Sequence, residues 1–168
     1  MLTKQSAVDD FVIRPIVPAD NAAVAAIIQT VMPEFGASGP GFALHDPEVN
    51  NMHAAYQGAR ARYFVIEHEG KVVGGGGFAP LTGGAADVCE VQKMYFYRHI
   101  RGKGLGQRLL AHVLAEAALS GYKRCYLETL ETMTAARALY TKQGFLPLRG
   151  PLGTTGHHGC DAWYARDL

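Results

Sequence analysis

The sequence predicts an α/β fold of the α+β kind: a single domain, residues 1–168, built on one mixed sheet with helices on both faces. Strand-like runs come in pairs early in the chain and alternate with helix-like runs later. A long helix with a broad apolar face follows a glycine-rich loop past the midpoint. No internal repeat, low-complexity tract or linker-like change in composition divides the chain.

Taken in order, Phe11-Val-Ile-Arg-Pro-Ile16 reads as the first strand. Asp20 is placed to cap a helix whose apolar positions, Val24, Ile27, Ile28 and Val31, recur at helical spacing. The stretch from Met32 to Asp46 is rich in glycine and proline, which predicts a long loop, and a short helix is expected from Pro47 to about Tyr56. Tyr63-Phe-Val-Ile66 and the run from Val72 onward flank Glu69-Gly70, the pattern of a β-hairpin. Gly74 to Gly77 lie inside the second of these strands and mark close packing against its backbone rather than a phosphate site. Val88 to Phe96, after the Gly83-Gly84 break, is the next strand. In the long helix Leu105, Leu109, Val113 and Ala117 share a face that Leu110, Leu114 and Ala118 widen, and Gly121 ends it. Cys125-Tyr-Leu127 is a strand signal, and Thr134 to Gln143 a helix closed by Gly144-Phe145. Ala162-Trp-Tyr-Ala165 supplies the last strand.

Composition narrows the function. With 48% hydrophobic and 18% charged residues and a formal net charge of +1, the chain suits an ordinary globular protein. Nucleic-acid binding would need a basic face to neutralise phosphates, so no nucleic-acid partner is expected. Charges, glycines or prolines interrupt every apolar run, so no membrane partner is expected either. Three cysteines without C-x-x-C spacing, and a polar start from Met1 to Asp10, point to reduced thiols and a cytoplasmic protein. Cys89 and Cys125 fall in or beside strands and read as small buried hydrophobes.

The central feature is Arg101-Gly-Lys-Gly-Leu-Gly106, between a strand and the strongest helix. Glycines let the backbone approach a ligand closely, and a helix N-terminus offers unpaired N–H groups and the positive end of a dipole. Such a loop suits a pyrophosphate. It is not a Walker loop, because no G-x-x-x-x-G-K-[ST] is present. Nor is it a dinucleotide fingerprint, whose third glycine would fall at Gln107 or Leu109.

The segments Glu90-Val-Gln-Lys-Met-Tyr-Phe96, Arg101 to Gly106, Leu127-Glu-Thr129 and Ala136-Arg-Ala-Leu-Tyr-Thr-Lys-Gln-Gly-Phe145 together resemble the GCN5-related N-acetyltransferase (GNAT) superfamily. The resemblance runs from about Arg14 to the C-terminus and is most specific between Glu90 and Phe145. It implies a mostly antiparallel central sheet and acetyl-CoA as cosubstrate. It also implies that Arg101, Gly102, Lys103, Gly104, Leu105, Gly106 and Gln107 bind the pyrophosphate. Met94, Tyr95 and Phe96 would pair their backbone with the pantetheine arm. The family often places Asn where this chain has Met133, leaving Thr134 as the expected cap of the following helix.

An amine that attacks a thioester must first lose a proton, since alkyl ammonium groups titrate near ~10. The resemblance puts Tyr140 where a tyrosine hydroxyl approaches the cofactor sulfur, as general acid; the alternative is a packed aromatic. Glu90 is placed as a general base acting through water; the alternative is a strand-end carboxylate paired with Lys93. Thr154-Thr-Gly-His-His-Gly-Cys-Asp161 has adjacent histidines that point apart and no nearby fourth ligand, so no metal is expected. The loops from Met32 to Tyr56 and from Leu148 to Asp161, which includes this segment, are the expected acceptor-facing segments. The expected activity is acetyl transfer to a small-molecule or peptide amine by direct attack in a ternary complex. A non-catalytic acyl-CoA-binding module and a transferase for longer acyl groups are the other readings, and a homodimer is compatible with the sequence.

Overall fold

The computed structural model describes residues 10–168. Its seven strands form one sheet in the order β1-β2-β3-β4-β5-β7-β6. β1 is Phe11–Pro15, β2 Arg62–His68, β3 Lys71–Pro80, β4 Val88–Phe96, β5 Arg124–Thr129, β6 Leu146–Leu148 and β7 Ala162–Asp167. Every neighbouring pair is antiparallel except β4 with β5, which run parallel. The mixed, mostly antiparallel sheet expected from the sequence is therefore present.

Helices cover both faces. α1 (Asn21–Glu34) and α2 (Met52–Ala55) pack on one side, where Val24, Ile28 and Met52 meet Tyr63 and Val65. α3 (Leu105–Leu119) and α4 (Thr134–Lys142) cover the other, where Leu109, Leu110, Val113 and Ala117 pack on Phe78, Cys89 and Cys125. The stripe of α3 thus buries the apolar face that its sequence periodicity marks. No helix among the described residues is long and apolar enough to cross a membrane.

Several local details differ from the sequence expectation. α1 runs on through Met32 and Pro33 to Glu34, because a proline in the last turn loses only one helical bond. Asp20 does not cap α1. Its carboxylate accepts the Val17 amide at 2.8 Å and the Arg14 guanidinium at 2.8 and 3.0 Å, closing the preceding turn instead. Thr134 is the first residue of α4 and makes no cap, with Met133 at the cap position. The segment from Pro47 to Tyr56 splits into a 3-10 turn, Pro47–Asn50, and the single helical turn α2. Leu146–Leu148 forms an additional short strand, β6.

The hairpin turn holds, with φ of 49° at Glu69 and 75° at Gly70, the two positive values that a tight primed turn requires. The glycines of β3 are explained by their neighbours. A Cβ on Gly74 would lie 2.6 Å from the Phe96 ring, one on Gly75 2.8 Å from Tyr63, and one on Gly77 would collide with the Arg62 carbonyl oxygen. Large side chains from β2 and β4 fold over the four-glycine stretch of this strand. Gly77→Ala is therefore expected to lower unfolding free energy by about 1–3 kcal/mol, as overpacking does. Denaturant unfolding measures this, and a loss under about 0.5 kcal/mol, the range of neutral surface changes, would contradict the packing account.

Candidate active site

β4 pairs with β5 only through Val88, Cys89 and Glu90. Beyond that point β4 carries a bulge. Lys93 adopts φ 49°, and the register with β3 slips between Gly75 and Gly77 so that Lys93 and Met94 both stand opposite Gly76. The Lys93 carbonyl accepts a 2.7 Å bond from the Tyr63 hydroxyl, which holds the kink. The strands part here, and the edge of Met94 to Phe96 that would face β5 has no strand partner.

A groove of about 200 Å³ opens along that edge. Met94, Tyr95 and Phe96 form one wall, α4 gives Ala136, Leu139 and Tyr140 to the other, and Gly102, Gly104 and Gly106 close one end. The glycine loop turns into α3 at Gly104, with φ of +77° at both Gly102 and Gly104. Among the described residues no atom lies within 4 Å of a Cβ position on either glycine. The amides of Leu105, Gly106 and Gln107 are in the first turn of α3 and lack helical acceptors. A Cβ on Gly106 would sit 3.1 Å from Leu139, so the glycine also sets the approach of α3 to α4. A pyrophosphate fits the open loop and a slender arm fits the apolar groove.

Arg101 does not point into the loop. Its guanidinium donates twice to the Phe96 carbonyl, at 2.9 and 2.8 Å, and pairs with Glu34 of α1 at 2.9 Å. The side chain ties the end of β4 to α1, and the Phe96 carbonyl is already taken. By strand alternation Tyr95 turns its own amide and carbonyl toward Gly75 of β3, which leaves the Phe96 amide and Met94 along this edge.

At the far end of the groove stands Tyr140, 6% exposed, between the rings of Phe145 and Tyr164. It lines both the groove and a second cavity of about 60 Å³ bounded by Met32, Phe42, Tyr95, Glu128, Met133 and Cys160. Burial, aided by the nearby Cys160, pushes its phenol well above the usual tyrosine range and keeps it protonated.

Glu90 lies just beyond this second cavity, 4% exposed. Burial raises its pKa; a 2.6 Å bond from the Gln92 amide opposes that, and the nearby Glu128 carboxylate adds to the rise, leaving the group at about 7. Glu90 does not pair with Lys93. The lysine ammonium is buried and bound to Asp46 at 2.8 Å and Glu48 at 3.0 Å. Asp46 also receives His157 Nε2, at 2.9 and 3.0 Å. Burial would raise the Asp46 carboxyl, but His157 and Lys93 more than offset this and hold it low. The bond to Asp46 raises His157 in spite of burial.

The two loops expected to face the acceptor therefore meet at the bulge of β4. Adjacent His157 and His158 do point apart, the first to Asp46 and the second over Gly41. Cys160 faces the cavity with its thiol pushed up to about 12 by burial and by Glu128 and Glu90, a poor nucleophile. Glu128, Asp46 and His157 carry no role in the sequence reading. They meet only in three dimensions, and the one signal available was a glutamate in the apolar run Cys125-Tyr-Leu-Glu-Thr129.

A phosphate-ready loop, a splayed strand and a buried tyrosine at the end of one groove define a coenzyme-binding acyltransferase class. The acetyltransferase (GNAT) family model matches residues 25–145, and the chain belongs to that family. It is 43% identical over 158 residues to YjgM, an uncharacterised N-acetyltransferase of Escherichia coli, covering 94% of this chain and 95% of the relative. A GNAT-family acetyltransferase from Staphylococcus aureus superposes with a TM-score of 0.81 at 19% identity, over 94% of this chain and 99% of that one. An acetyltransferase from Salmonella typhimurium, solved with its cofactor acetyl-CoA, superposes at 0.72 with 23% identity over 94% of each chain.

The Asp46 bridge gives a pH-dependent expectation. His157 is raised on folding, so its contribution is complete below the unfolded value near ~6.5 and fades as pH climbs through the folded value. Asp46 is lowered, so its own contribution fades only in acid. With Glu48 still bound to Lys93, Asp46→Asn should cost about 2 kcal/mol at pH 6 and less at pH 9. Unfolding at both pH values checks this, and an equal cost at both removes His157 from the account.

Proposed function

We propose that this chain is an acetyl-CoA-dependent N-acetyltransferase, a single cytoplasmic domain that passes acetyl directly to an amine in a ternary complex. The observation that carries the reading is Tyr140, which stands where the groove and the second cavity meet. The acetyl-CoA bound to the Salmonella typhimurium neighbour supports the choice of cosubstrate.

In this reading the loop amides around Gly104, Leu105, Gly106 and Gln107, with Lys103 nearby, hold the pyrophosphate. Within Met94 to Phe96, Met94 and the Phe96 amide face the pantetheine arm, while Arg101 fixes the strand that carries them. Bound acetyl-CoA supplies the thioester carbonyl at the groove's end. The second cavity admits the amine. Glu90, poised at about 7, accepts its proton, and the protonated Tyr140 phenol gives one to the departing sulfur.

Coenzyme A should raise the melting temperature, because a ligand of the native state stabilises by about 2.7 kcal/mol at 100 times its Kd. Gly104→Val should remove that increment, beyond any loss of its own at positive φ. An equal coenzyme A shift in both proteins would end the loop assignment.

Turnover is read as free thiol released from acetyl-CoA against a panel of amines. On the best acceptor, Tyr140→Phe should lower kcat by about 10²-fold with the coenzyme A melting shift intact. Unchanged kcat would return Tyr140 to packing, and no thiol release with any amine would overturn the activity itself.

A further inference from the structure

Glu90 is not alone. Strand alternation puts Glu90 and Gln92 of β4 on one sheet face, and the pairing of Glu90 with Tyr126 puts Tyr126 and Glu128 of β5 on the same face. Donor atoms of Glu90, Glu128 and His157 lie within 4.8 Å of one another. Each is held by its own partner. Gln92 donates to Glu90 and itself takes the Tyr56 hydroxyl at 2.6 Å; Thr155 bonds Glu128; and Asp46 bonds His157. The two carboxyls are not equivalent in position. Glu128, part-exposed, lines both the cavity that contains Tyr140 and the space adjoining it, whereas the more buried Glu90 lines the adjoining space alone.

We propose that Glu128 is a second catalytic carboxyl, which meets the acceptor's ammonium first and shares its proton with Glu90 behind it. This rests on the acetyltransferase reading above. Two carboxylates this close repel each other, which suits a pair that takes up one proton per turnover. The ammonium loses that proton to Glu128, and Glu128 passes it to Glu90. The freed nitrogen bonds to the acetyl carbon as the carbon–sulfur bond breaks with its electron pair on sulfur. Tyr140 protonates the sulfur and regains a proton from the new amide nitrogen, and the pair returns its proton to water.

The charges around the cavity narrow the acceptor. Glu90, Glu128, Lys93 and His157 line it or the adjoining space with Cys160 and Tyr95, while Asp46 and Glu48 are bound to Lys93 and His157 from outside and Tyr56 and Tyr126 lie near the carboxyls. Lys93 is already shared by Asp46 and Glu48. With Met32, Phe35, Phe42 and Met133 as apolar walls, the site fits a primary amine with an apolar body and no acid group beside the nitrogen.

The experiment compares pH–rate profiles of the wild type, Glu90→Gln, Glu128→Gln and the double variant, with coenzyme A melting shifts confirming that each is folded. Phenethylamine and phenylalanine serve as matched acceptors that differ by one carboxylate. Wild-type kcat/KM should rise with pH through about 7. Glu90→Gln should lose about 10²-fold near neutrality. Glu128→Gln should lose at least about tenfold and move the rise to lower pH, because a like charge beside Glu90 is gone. The double variant should be no worse than the poorer single one, as for residues that act as a unit. Phenethylamine should be favoured by at least about tenfold, with Glu128→Gln narrowing the gap.

Multiplying losses would mean independent roles and overturn the pair. A Glu128→Gln enzyme of normal rate and unmoved profile would leave Glu90 acting alone, so the pair falls and the acetyltransferase stands. Normal rates in every variant would remove carboxyl catalysis while leaving the transferase intact. Activity lost to a chelator and restored by a divalent cation would replace the proton-sharing pair with a metal site. Preference for phenylalanine would overturn the acceptor class.

Discussion

Parallel pairing between β4 and β5 lasts for three residue pairs and then stops, and the geometry of both cavities follows from that stop. A continued ladder would bury the edge of Met94 to Phe96 and close the groove. The cause is local. Lys93 takes a left-handed conformation that costs a side-chain-bearing residue about 1 kcal/mol or more. The Tyr63 bond to its carbonyl and the pairs from its ammonium to Asp46 and Glu48 offset that cost. A buried ion pair is a weak source of stability, so its value here is geometric: it fixes one backbone path. The same lysine gathers the loops around Asp46 and His157, so one residue sets both the bulge and the side of the cavity those loops close.

Arg101 does comparable work at the other end of the exposed edge. By bonding the Phe96 carbonyl it satisfies a group that the missing strand would have paired, and through Glu34 it fastens that end to α1. The groove is therefore bounded by two fixed points, Lys93 and Arg101, with Met94 and the Phe96 amide open between them. A cationic residue at the start of a loop proposed to hold a pyrophosphate invites a direct role with the anion, yet here the guanidinium bonds the protein's own backbone.

The legibility of the sequence divides along the same line. α3, the glycine loop and the β2–β3 hairpin could be read locally, since each rests on the spacing of a few consecutive residues. Tyr140 and Glu90 were placed by resemblance, and their settings came from the structure. The acceptor side was not legible, because Asp46 stands 47 positions from Lys93 and 111 from His157. Glu128 could have been suspected from strand parity, but parity is useful only once the β4–β5 register is known. Asp20 and Thr134 show the limit of cap rules, which name residue types and not the turn they will serve.

The glycine run of β3 has a consequence for how the chain assembles. Glycine gives up more backbone freedom on ordering than any other residue and brings no side chain to bury. Gly74 to Gly77 are buried all the same, beneath Phe96, Tyr63 and Met94 from the flanking strands. We expect β3 to order only when β2 and β4 arrive together, so that neither hairpin persists without the other. The three strands would then form a single late step on the folding pathway, and the bulge that opens the groove would be set in that step.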